Sequence, residues 1–212
     1  MASMTLDFPQ SLTEKYRPKA ISDFCGIAKA KKICANLAAN PREINLLFQG
    51  ASGTGKTTLA LALAEAIPAE LHHIPSQDCN VANIQRVRQT CQYVPMSGFK
   101  MHLCLIDEAD QMTPQAQIAL LSILDSTNKP PNTIFVFTCN ATDRLELRFL
   151  SRCMQIEFSS YGISTEAIEL LRQVWKKEAP NAPEPNFARI VKDACNNVRA
   201  ALMSLESELL CA

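Results

Sequence analysis

Gly50-Ala51-Ser52-Gly53-Thr54-Gly55-Lys56-Thr57 fits the pattern G-x-x-x-x-G-K-[ST]. The apolar run Asn45 to Gln49 precedes it and a helical pattern from Thr57 to Ala66 follows, which is the strand–turn–helix setting the motif requires. Glycines let the backbone wrap an anion, and loop N–H groups with a helix N-terminus hold phosphates. Gly50, Ser52, Gly53, Thr54, Gly55, Lys56, Thr57 and Thr58 are the candidate phosphate-binding set. Lys56 is placed to pair with the β- and γ-phosphates of ATP, and the Thr57 hydroxyl to ligate Mg²⁺.

Working outward, Leu103-Cys104-Leu105-Ile106-Asp107-Glu108 is an apolar strand ending in two acids. Asp107 suits a second magnesium contact and Glu108 the orientation of an attacking water. With the glycine-rich motif about fifty residues upstream, the pair reads as the catalytic half of an ATPase. Asn140 lies just past the apolar run 133–138, within range of a γ-phosphate or a water, though an ordinary loop asparagine has the same spacing. Arg152, in Ser151-Arg152-Cys153, reads either as a solvated surface residue or as one completing a neighbour's site. Arg199 is equally open, since a lone helical arginine normally snorkels or pairs with an acid.

Short apolar runs at 45–49, 102–106 and 133–138, and weaker ones at 71–74 and 154–158, alternate with helical patterns at 28–39, 57–66, 81–93 and 114–126. That alternation predicts an α/β fold with a largely parallel five-stranded sheet between helices. After Phe158 no strand pattern remains. Ser164 or Thr165 is a candidate cap for a helix to about Glu178, three prolines in 179–185 force a turn, and two helices fit 186–196 and 198–210. The expected organisation is a nucleotide-binding α/β domain over 1–160 and a small three-helix lid domain over 161–212.

The 212 residues balance 21 Lys+Arg against 21 Asp+Glu, so any nucleic-acid contact must come from a local patch rather than a global field. Nine cysteines are scattered with no C-x-x-C pair, which argues against a structural zinc site and against a disulfide framework. No secretory leader and no run near the length of a membrane span is visible. The expectation is an intracellular, cytoplasmic protein without membrane contact.

Together with Leu12-Thr13-Glu14-Lys15-Tyr16-Arg17-Pro18, Asp107-Glu108-Ala109-Asp110-Gln111-Met112, Thr138-Cys139-Asn140, Ser151-Arg152-Cys153 and Asn197-Val198-Arg199-Ala200-Ala201-Leu202, the sequence resembles AAA+ clamp-loader subunits. The likeness is to the small subunits of replication factor C and their phage and archaeal equivalents, and it runs from about residue 11 to 210. It implies an AAA+ core in which Tyr16, Arg17, Pro18, Phe24 and Gly26 surround adenine. It makes Asp107 and Glu108 the Walker B pair and Asn140 sensor 1. Arg152 becomes an arginine finger acting on a neighbouring subunit, and Arg199 sensor 2 on the lid. Arg86, with Arg88 as a likelier bystander, falls on the helix that lines a DNA channel. The implied partners are neighbouring AAA+ subunits, primer–template DNA and a sliding clamp, with ATP and Mg²⁺ as cofactors.

Family subunits continue into a helical collar that these 212 residues do not include. Pro75 or Ser76 stands where the family places an asparagine that switches the catalytic glutamate. Ile27 replaces a common glutamine, and Asn196-Asn197 the usual Gly-Asp. The alternatives are a stand-alone AAA+ switch or helicase-loader-like ATPase of a phage or mobile element, or an adapter that binds nucleotide without hydrolysing it.

Overall fold

The computed structural model describes residues 10–95, 98–125 and 128–211. In chain order the elements are α1 (Leu12–Lys15), α2 (Ala28–Ala39), β1 (Ile44–Gly50), α3 (Lys56–Ala66), β2 (Ala69–Pro75), α4 (Val81–Thr90), β3 (Met101–Asp107), α5 (Pro114–Leu124), β4 (Thr133–Cys139), α6 (Leu147–Leu150), β5 (Met154–Phe158), α7 (Ser164–Glu178), α8 (Phe187–Asp193) and α9 (Val198–Cys211). They divide into a sheet unit, Pro18–Ser159, and a helical unit made of the described residues up to Arg17 and from Ser160 onward.

In the sheet unit all strand pairs are parallel and the order is β2-β3-β4-β1-β5. The central strands are apolar on both faces because both faces are covered. Leu46, Phe48, Leu103, Leu105 and Val136 pack against α2 and α3. Leu47, Cys104, Ile106, Phe135 and Phe137 pack against α4 and α5. β2 and β5 lie at the edges and bury fewer positions, which is why their sequence signal is weaker. Parallel strands connected by helices bring every strand's carboxyl end to one rim, where open α/β sheets bind ligands. Gly50, Asp107 and Asn140 all gather there.

The helical unit has its own core, in which Leu171, Val174 and Trp175 of α7, Phe187 and Val191 of α8, and Leu202 and Leu205 of α9 are buried. Leu12 of α1 belongs to that core, and Leu12 N–H donates to Glu206. Residues 10–17 thus pack with the helices, whereas the sequence reading grouped 1–27 with the nucleotide-binding domain. The physical reason is that Leu12 finds apolar neighbours on α9.

Several element ends differ from expectation, α5 for instance stopping at Leu124 rather than 126. α4 stops at Thr90 rather than Tyr93, since Cys91 turns into the core and Pro95 disfavours helix in the residue before it. α7 begins at Ser164 with Ile163, not Ser164 or Thr165, in the N-cap position, where no side-chain cap bond is made. α8 ends at Asp193 because Cys195 and Asn196 adopt left-handed φ angles of 51° and 58°. No helix among the described residues is long and apolar enough to cross a membrane.

Candidate active site

The phosphate loop leaves the buried strand β1 at Gly50, where a side chain has no room: a Cβ there would sit 2.3 Å from the Phe158 carbonyl oxygen of β5. Gly53 and Gly55 hold φ angles of 80° and 89°, and Phe24, itself buried, covers Gly55 with its ring edge. The loop then opens directly into α3, whose first turn carries no side-chain cap. Its N–H groups are presented to solvent-side anions in the manner of other helix N-termini.

Lys56 is 8% exposed, and its Nζ donates to Gly50 O at 2.7 Å, Ala51 O at 2.9 Å and Asn140 Oδ1 at 3.1 Å. Two loop carbonyls and an amide oxygen hold this buried ammonium at the mouth of the phosphate loop. Asn140 is held in turn by its backbone N–H, which donates to the buried Asp110 carboxylate at 3.4 Å. Lys56 and Asn140 are therefore brought together.

One carboxylate oxygen organises the rest. Asp107 Oδ1 accepts from the Thr57 hydroxyl at 2.7 Å and from the Thr138 hydroxyl. Thr138 Oγ1 in turn accepts the Glu108 backbone N–H at 3.0 Å. Glu108 sits in a left-handed conformation, φ 54° and ψ 49°, which turns its exposed side chain out of the strand line. His73 of β2 comes within 3.9 Å of Asp107 Oδ2, and Pro75 pairs in register with Asp107. A serine or threonine hydroxyl beside a carboxylate is a set of hard oxygen ligands suited to Mg²⁺, so Thr57 and Asp107 fit the metal the sequence implies.

The sequence reading named Lys56, Thr57, Asp107, Glu108 and Asn140; it quoted Thr138 and Asp110 inside motifs without giving them a role, and it did not name His73. Thr138 had a further signal: it is the polar residue ending an otherwise apolar run. His73 had none, because its place beside Asp107 depends on which strands pair.

Arg152 lies elsewhere in the sheet unit. Its carbonyl accepts from Asn45 Nδ2 at 3.0 Å, at the start of β1, and it precedes β5, whose Met154 pairs with Leu46 and Phe158 with Gly50. Five strand residues separate Asn45 from Gly50, about 16 Å at 3.3 Å per residue. Its guanidinium reaches Arg148 O at 2.9 Å and Asp125 at 3.4 Å. Arg152 is thus at the rim opposite this chain's own phosphate loop. On α4, Arg86 is exposed, whereas Arg88 is half-buried beside Ile84 and Val87.

In the helical unit, Tyr16 Oη donates to Glu178 at 2.5 Å and Arg17 pairs with Glu14 at 2.6 Å. Burial and then the Glu178 carboxylate push the Tyr16 phenol up to about 12. Arg199 is exposed on the first turn of α9. Pro18, Phe24 and Gly26 belong to the sheet unit.

Residues 46–161, more than half of the chain, match the family model for the ATPase family associated with various cellular activities (AAA). The chain belongs to the AAA family. Among AAA relatives it is 30% identical to replication factor C subunit 4 of Caenorhabditis elegans, over 92% of this chain and 61% of that protein. It is likewise 30% identical to replication factor C small subunit 1 of Pyrobaculum arsenaticum, over 91% of this chain and 60% of that protein. It therefore spans about three-fifths of the length of the curated relatives it matches. Among solved structures, the Thermotoga maritima RuvB Holliday junction branch migration motor superposes with a TM-score of 0.71. That match covers 90% of this chain and 64% of that one at 20% identity, which shows a shared fold.

Proposed function

We propose that this AAA chain binds and hydrolyses MgATP as a clamp-loader-type subunit, assembling with neighbouring AAA+ subunits on primed DNA beside a sliding clamp. The observation that carries the reading is the junction of Lys56, Asn140, Thr57, Asp107 and Thr138 at one rim, with Arg152 at the other. Lys56 exchanges its loop carbonyls for β- and γ-phosphate oxygens, while loop and α3 N–H groups take the rest of the triphosphate. Thr57 and Asp107 hold magnesium, which when bound neutralises charge developing on the phosphates. Glu108, fixed through its N–H on Thr138, orients and polarises the water, and Asn140 senses the γ-phosphate through the side chain Lys56 already touches.

Arg152 cannot reach this chain's own phosphates from the opposite rim, so the finger it supplies serves a neighbour, an effect worth about 10³–10⁵-fold in rate. Within the sheet unit, Pro18, Phe24 and Gly26 contact adenine. Arg86, exposed on α4, is the stronger DNA contact of the two arginines.

Calorimetric MgATP binding and phosphate release test this. Lys56→Ala loses binding. Glu108→Gln keeps binding and loses about 10²–10⁴-fold in turnover, the range for a general base. Unchanged turnover in Glu108→Gln would replace the enzyme reading with a nucleotide-binding adapter.

A second reading, a stand-alone switch or helicase-loader-like ATPase, is favoured by one feature. Pro75 sits beside Asp107 and has no side-chain amide with which to restrain Glu108. ATP turnover indifferent to primed DNA supports that reading, and stimulation by primed DNA supports the clamp-loader one.

A further inference from the structure

We propose that His72, Cys91 and His102 form a binding site for Zn²⁺ on the face of the sheet away from the phosphate loop. His72 comes from edge strand β2, His102 from β3, and Cys91 from the residue that ends α4. One ligand atom of each, imidazole nitrogens and Sγ, lie within 4.8 Å of one another. His102 is the second residue of β3, five residues before Asp107, or about 16 Å along the strand. The site is separate from the ATP site.

Three observations point to a cation rather than to ordinary core packing. First, the proton positions on His102 are fixed. Its Nε2 lies 2.9 Å from the Tyr93 carbonyl oxygen, which can only accept, so Nε2 carries a hydrogen and the neutral ring presents its lone pair at Nδ1. A ring N–H given to a backbone carbonyl is the arrangement that orients metal-binding histidines. This ring is 1% exposed, so it does not turn freely. Second, Nδ1 of His102 and Nε2 of His72 are 3.0 Å apart. Two imidazole nitrogens bound to one tetrahedral zinc stand about 3.3 Å apart, given Zn–N distances of 2.0–2.1 Å.

Third, charge and softness suit the same ion. Cys91 supplies a thiolate, and Glu70 Oε2 lies 3.6 Å from His102 Nδ1, so two negative groups balance a divalent cation. Cys104 Sγ is 3.6 Å from Cys91 Sγ, where its S–H can donate to the bound thiolate. An imidazole and thiolate donor set selects zinc over magnesium or calcium.

Binding exchanges one proton for the metal. In the neutral His72 ring the hydrogen that Nε2 shares with His102 moves to Nδ1, freeing the Nε2 lone pair for the metal, and Cys91 gives up its thiol hydrogen to solvent. The metal then ties the unpaired edge of β2 to β3 and to the end of α4, the helix that carries Arg86. The sequence reading argued against zinc because the cysteines contain no C-x-x-C pair. The fold overrides that argument by bringing positions 72, 91 and 102 together from three elements.

The test uses the whole chain purified under reducing conditions, with Cys195→Ser and Cys211→Ser removing the two exposed thiols. Elemental analysis after zinc loading and gel filtration should give one zinc per chain. Cobalt(II) loading should give thiolate-to-metal charge-transfer absorption with tetrahedral d–d bands. His72→Ala, at a half-buried edge position that tolerates truncation, should lower the affinity by about 100-fold or more, since even outer-shell partners are worth 10–100-fold. Cys91→Ala should abolish the charge-transfer band. Zinc should raise the melting temperature of the parent and not of His72→Ala. Three results would overturn the proposal: no retained metal, wild-type affinity in His72→Ala, or a charge-transfer band that disappears only when Cys195 and Cys211 are removed.

Discussion

Thr138→Val keeps the shape of a buried side chain while deleting the hydroxyl on which Asp107 and Glu108 both depend. Two hydrogen bonds go: the one Thr138 donates to Asp107 Oδ1 and the one it accepts from the Glu108 N–H at 3.0 Å. A bond to a charged acceptor contributes about 1.5–3 kcal/mol, and a backbone donor left unpaired costs about 1–3 kcal/mol. Asp107 is 24% exposed as a side chain, so water recovers part of the first. The net loss is then about 2–4 kcal/mol, or roughly 5–15 °C in melting temperature at 2–4 °C per kcal/mol for a chain of this size. Thermal unfolding by circular dichroism, alongside steady-state phosphate release, measures both effects. Thr138→Ser should restore stability and turnover, because it restores the hydroxyl. A Thr138→Val protein that melts with the wild type and turns over ATP at the same rate would refute the role assigned to this hydroxyl.

At the start of the phosphate loop, next to the carbonyl that holds Lys56, Gly50→Ala should destabilise the sheet unit. Its Cβ would meet the Phe158 carbonyl oxygen at 2.3 Å and Phe158 Cβ at 2.9 Å, an overpacking of about 1–3 kcal/mol. Thermal melts without nucleotide should show a drop of about 2–12 °C, using the same conversion. In the helical unit, Tyr16 has a folded-state pKa raised from 10.0 to about 12. The stability it contributes is fully present below pH 10 and is lost as pH rises through about 12, because there the unfolded chain ionises more readily than the folded one. Denaturant midpoints measured across that window should fall in the wild type and flatten in Tyr16→Phe. Arg86→Ala should weaken binding to primed duplex DNA and reduce its salt dependence, whereas Arg88→Ala should mainly lower stability, since its stem is packed. Fluorescence anisotropy at two salt concentrations separates the two.

The sheet was legible because both its faces are covered: 45–49, 102–106 and 133–138 are apolar without alternation, and only buried parallel strands combine that pattern with short length. The loop at 50–57 and the acids at 107–108 were legible because their backbone geometry demands particular residue types in sequence-local order. Thr138 and Asp110 were harder, since their value comes from standing beside Asp107 and Asn140 across strand pairings that spacing does not reveal. The His72, Cys91 and His102 cluster was invisible for the same reason, being assembled by the β2–β3 register and by the early stop of α4. Leu12 was misgrouped because its apolar partners lie on α9, nearly two hundred residues away.

The central claim is a site completed from outside, and ATP turnover per molecule as a function of protein concentration, with primed DNA present throughout, tests it most directly. The predicted result is a specific activity that climbs with concentration in the wild type and stays flat near zero in Arg152→Ala, with MgATP affinity equal in both. A rate per molecule that is constant across concentration and undiminished in Arg152→Ala would contradict the account, because the phosphate site would then complete itself within one chain.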